Sequence, residues 1–94
     1  MMMYTERQFI AMRILHGMLE SDGIKTSRQF ADTFKCLRDG CRINLHPLVA
    51  EIGFSEWLTS FWAEGEQLPP EKKWPGIAKA IMRLLETELQ KEDA

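Results

Sequence analysis

The chain has no apolar run long enough to cross a bilayer, which takes about 18–20 consecutive apolar residues. It has only two cysteines, too few for the disulfide framework of a small secreted domain. It also has no Lys or Arg between Ile43 and Glu71, a stretch in which Glu51, Glu56, Glu64, Glu66 and Glu71 leave a charge of -5. That stretch repels phosphate, which sets it against nucleic acid and nucleotides. There is no phosphate-binding glycine loop, dinucleotide fingerprint or zinc-protease motif. The early charges Glu6 and Arg7 interrupt any signal-peptide core. These absences point to a cytoplasmic protein in a reducing compartment, off the membrane.

What is present is an ordinary globular composition, 45% apolar and 28% charged over 94 residues. That length supports one core and is short for two, so residues 1–94 are expected to form one domain with a frayed tail at about 91–94. No strand-like alternation and no internal repeat is visible. The reading is all-α: a compact, irregular bundle of four main helices plus one short helical turn.

Thr5 and Gln8 have capping-box spacing, and Tyr4 with Phe9 has staple spacing, which predicts a first helix over about 6–20. Ala11, Ile14, Leu15 and Met18 recur at helical period and are expected to face the core. Phe9, Met12 and Leu19 then form an apolar surplus that a short chain has difficulty burying. Thr26 and Gln29 repeat the capping box for a helix of about 27–39, closed by Gly40 and seamed by Phe30, Phe34 and Leu37. Pro47 suits the start of a short helix over 48–52, stopped by Gly53. Ser55 is placed to cap an aromatic-rich helix over about 56–64, with Trp57, Leu58, Phe61 and Trp62. The segment 65–75, carrying Pro69 and Pro70, reads as an exposed linker. Pro75 opens a last helix with Ile77, Ala78, Ile81, Leu84, Leu85 and Leu89 at helical period.

Candidate chemistry is thin. Cys36, Cys41 and His46 are spaced by five, and His16 could complete a four-ligand set, but structural zinc ligands come in pairs two to four residues apart. The cysteines therefore read as small packing residues. Cys41 with His46 lacks an orienting third group and any oxyanion donor, so no catalytic or cofactor site is expected. Ala50, Gly53 and Ser55 resemble helix-turn-helix landmarks, but Ala and Gly are three apart rather than four and the helix that follows is acidic.

Two functions follow. The first is a small regulatory or adaptor protein that inhibits or sequesters a larger protein partner through an apolar helix face, with Phe9, Met12, His16 and Leu19 as the interface; a homodimer is also expected, and the sequence leaves open whether this face closes it or takes the other protein. The second is a helical DNA-binding regulator that touches nucleic acid through Arg28, Lys35, Arg38 and Arg42.

Overall fold

A computed structural model describes residues 4–93, without the Asp93 side chain. They form helices and turns with no strand among them. The all-α bundle expected from the periodicities is what the chain adopts. Helix α1 spans Glu6–Ser21, α2 Ser27–Lys35, α3 His46–Ile52, α4 Leu58–Ala63 and α5 Trp74–Leu89. A π-helical turn, Cys36–Cys41, prolongs α2, and short 3₁₀ turns lie at Glu71–Lys73 and Gln90–Asp93.

Both capping boxes form as spaced. The Thr5 hydroxyl accepts from the Gln8 amide while the Gln8 side chain accepts from the Thr5 amide, and Thr26 and Gln29 repeat the exchange. Each satisfies two amides that a helix start otherwise leaves to water. Tyr4 and Phe9 meet edge to face at 5.5 Å, closing the staple. Gly53 ends α3 with φ at 80°, a left-handed conformation that a Cβ disfavours.

The aromatic centre lies between α2, α4 and the start of α5. Phe30 stacks on Phe34 at 5.1 Å and meets Trp62 and Trp74 at 5.5 and 5.4 Å, while Phe54 meets Trp62 edge to face at 5.1 Å. The indole N–H of Trp62 donates to the carbonyl of Gln67 at 2.8 Å, and that of Trp74 to the carbonyl of Pro69 at 2.9 Å. Segment 65–75 is therefore not a free linker: Pro69 is buried and Leu68 half-buried, because two core tryptophans need their polar edge satisfied and this backbone supplies the acceptors.

Four boundaries differ from expectation. Gly40 does not close the second helix; the chain winds on through it as a π-turn and stops at Arg42, whose φ is 53°. The short helix begins at His46, one turn position before Pro47. The aromatic helix starts only at Leu58, after a turn in which the Leu58 amide bonds the Ser55 carbonyl, and Ser55 makes no side-chain cap. The last helix starts at Trp74, drawn in by its own burial, with Pro75 in the first turn. Helix α1 packs on both the π-turn and α5, α2 packs on α4, and α3 on α5.

Candidate docking face on helix α1

The two sides on which α1 is covered decide which of its many apolar residues are spent in the core. Phe9, Met12, Leu15 and Leu19 are buried, Met12 completely. This corrects the expected interface. Phe9, Met12 and Leu19 fill the core of the single chain, whereas Ile14 and Met18, expected inside, are 59% and 57% exposed. The buried stripe is turned by about a quarter of the helix from the predicted one, since at 100° per residue the face centred on Met12 and Leu19 lies well away from that centred on Ala11 and Met18. His16, the fourth residue of that set, is half-buried on the edge facing α5, where its Nε2 lies 2.8 Å from a Glu86 carboxylate oxygen. Arg13 pairs with Glu92 beside it.

The apolar surplus survives with other members. Ile10, Ile14 and Met18 follow one another at four-residue intervals along the outer side of α1, all exposed. Towards the C-terminal end of α1 this stripe runs into a cleft of about 120 Å³ between α1 and α2. Ile14, Leu15, Met18 and Leu19 line one wall, Thr33 and Cys36 the other. Asp22, Gln29 and Asp32 stand at its edge and give it a polar, acidic margin. Thr33 spends its hydroxyl on the Gln29 carbonyl at 2.7 Å, so it brings no unpaired donor to that wall. The volume is close to that of an engineered apolar cavity of about 150 Å³ that admits benzene, room for one medium apolar side chain. Two shallower grooves flank the Arg83–Glu51 pair on α5 and α3, and both mix charge with apolar surface.

The basic residues Arg28, Lys35, Arg38 and Arg42 are all exposed. They do not form an unbroken basic face. Arg38 donates to both carboxylate oxygens of Asp39 at 2.8 and 3.0 Å and lies 3.7 Å from Glu64, while Arg28 is 3.9 Å from Asp32. The Arg38 guanidinium holds the Asp39 carboxyl below its ordinary range, so a phosphate would compete with a carboxylate that stays ionised.

The metal-like set does not converge. His16 bonds Glu86, His46 Nδ1 lies 3.2 Å from Glu56, and among the described residues no group of three or more His, Cys, Asp or Glu is placed to hold an ion. No helix among the described residues is long and apolar enough to cross a membrane. No protein-family model, no curated protein and no solved structure matches this chain.

Proposed function

We propose that this chain is a small regulatory or adaptor protein that works by binding a partner protein on the outer face of α1. The observation that carries this reading is the continuity of the exposed Ile10, Ile14 and Met18 stripe with the α1–α2 cleft. A row of large apolar side chains left in water beside a concave apolar slot is what a helix-in-groove or anchored-peptide contact uses. The partner segment it fits is amphipathic, with one apolar anchor for the cleft and a Lys or Arg beside it for Asp22 and Asp32. Ile14 and Met18 are 59% and 57% exposed, so covering what remains contributes about 1–2 kcal/mol each before the costs of association. A cytoplasmic setting belongs to the same reading, since both cysteines are free thiols.

The test is capture from native extract by the tagged chain, compared with the double variant Ile14→Asp, Met18→Asp and with Trp57→Ala, which removes a 61% exposed apolar residue elsewhere. A nuclease-resistant protein held by wild type and by the Trp57 variant, and lost with the α1 double variant, supports the reading. Retention by all three overturns it. Light scattering of the purified chain adds the remaining outcome: a dimer that the double variant dissociates makes the occupant a second copy of this chain.

A further inference from the structure

The α1 face uses Cys36 only as part of a cleft wall and leaves Cys41 unexplained. The two sit five residues apart, and in a regular α-helix five residues advance about 7.5 Å along the axis alone. That exceeds the roughly 4.4–6.8 Å Cα spacing a disulfide accepts. Here Cys36–Cys41 is the π-turn itself, in which the amide of residue i+5 bonds the carbonyl of residue i. The wider turn brings its first and last side chains onto one side. The pattern continues at its end, where the Arg42 amide bonds the Leu37 carbonyl. The Cys36 sulfur lies against the α1 side of this turn: a Cβ built at Gly40 would meet it at 3.5 Å and the Ala11 Cβ at 3.7 Å.

The environments of the two thiols are unequal. Cys36 is half-buried and opens into the α1–α2 cleft, whereas Cys41 is fully buried. The charged residues of the cleft are Asp22 and Asp32, and carboxylates oppose a thiolate. What favours the thiolate at Cys36 is hydrogen bonding from the neighbouring Cys41 thiol, which brings the Cys36 thiol down to about 7 in spite of partial burial. The same hydrogen bond, with burial, pushes the Cys41 thiol up. One thiol is thus accessible and nucleophilic, and the other is shielded and within reach of it.

We propose that Cys36 and Cys41 form a reversible redox pair, with Cys36 as the site oxidised by a peroxide and Cys41 as the thiol that resolves it. The Cys36 thiolate attacks one peroxide oxygen; an S–O bond forms as the O–O bond breaks, and the departing oxygen leaves as hydroxide or alkoxide and takes up a proton. Cys41 then attacks the sulfenic sulfur. An S–S bond forms as the S–O bond breaks, and the Cys41 proton leaves with the hydroxyl as water. Two electrons pass from the thiols to the peroxide, and a dithiol reductant reverses the change. This proposal does not rest on the α1 docking reading, and a partner anchored in the cleft would shield Cys36 from peroxide.

The sequence supplies a direct test, because trypsin cuts at Arg38 between the two cysteines. The reduced chain is treated with stoichiometric hydrogen peroxide, alkylated and digested. The expected product is Cys36–Leu37–Arg38 joined to Asp39–Gly40–Cys41–Arg42, lighter than the two free peptides by two hydrogens. Cys41→Ala and Cys41→Ser should accumulate a dimedone-trappable sulfenic acid at Cys36 that wild type does not. Iodoacetamide alkylation of Cys36 should have its pH midpoint near 7 in wild type, moving towards an ordinary thiol, about 8.5, in Cys41→Ala. Links only between copies, a stable sulfenic acid in wild type, or an unchanged alkylation midpoint in Cys41→Ala overturns the pair. The peptide experiment uses wild type alone, so it decides the matter even where a Cys41 variant folds poorly.

Discussion

Helices α1 and α5 have the same length and pack on each other, yet they use their apolar residues differently. On α5, Ile77, Ala78, Ala80, Ile81 and Leu85 are buried and Lys79, Arg83, Glu86 and Thr87 face water, so the stripe and the core coincide. On α1, Phe9, Met12, Leu15 and Leu19 are buried, and a second row, Ile10, Ile14 and Met18, is left outside. A helix with one apolar face is explained by its own fold. A helix with two is explained by its fold on one side only, and the other side calls for something more.

The largest effects should come from treating the rows as equivalent and finding that they are not. Ile81→Ala and Met12→Ala each remove a fully buried side chain and should cost about 2–5 kcal/mol in urea unfolding, whereas Ile14→Ala should stay within about 0.5 kcal/mol. A loss at Ile14 as large as at Met12 would place the exposed row inside the monomer core and remove the contrast.

The helix starts give a smaller contrast. Thr5→Ala deletes the α1 cap and should cost about 1 kcal/mol. Lys73, which precedes α5 without any side-chain cap bond, should be replaceable by Ala at no more than about 0.5 kcal/mol. Equal costs in thermal or urea unfolding would show that the Thr5 bond is not holding α1.

The last contrast lies where the two helices meet. Tyr4, just before α1, donates its phenol to a Glu88 carboxylate oxygen at the end of α5, at 3.1 Å. Burial, that hydrogen bond and the nearby Glu88 charge raise its ionisation from 10.0 to about 12. The folded state therefore holds the phenolic proton more tightly than the unfolded chain. This contribution to stability is fully present below pH 10 and is lost as pH rises from 10 towards 12. Tyr4 is the only tyrosine of the chain, so phenolate absorbance reads it alone: the midpoint should lie near 12 folded and near 10 in denaturant. Glu88→Gln should lower the folded midpoint, and a folded midpoint already near 10 would show that this contact does not form in solution.

Much of the local structure is legible in the residues. The spacings Thr5 to Gln8 and Thr26 to Gln29 give two helix starts because a capping box is a contact between residues three apart. The α5 stripe is legible because its polar residues leave one choice of face. The π-turn is not, since no local spacing marks it; it lies in the segment against which α1 packs. The burial of Pro69 is also invisible locally, because it depends on tryptophans 5 residues or more away needing carbonyl acceptors. The candidate face shows the same limit: the sequence announces a helix with too many apolar residues but not which of them are in excess.

By itself, then, the sequence determined an all-helical chain, where the first two helices begin, the acidic middle stretch and the surplus of apolar residues on α1, all of which follow from composition and from contacts within one or two turns. The tertiary structure alone decided that Met12 goes in and Ile14 stays out, and that the chain from Cys36 to Cys41 winds as a π-turn. The rotation of a helix about its axis is fixed by what covers it, and in α1 two apolar faces compete for the π-turn and α5, which can cover only one of them.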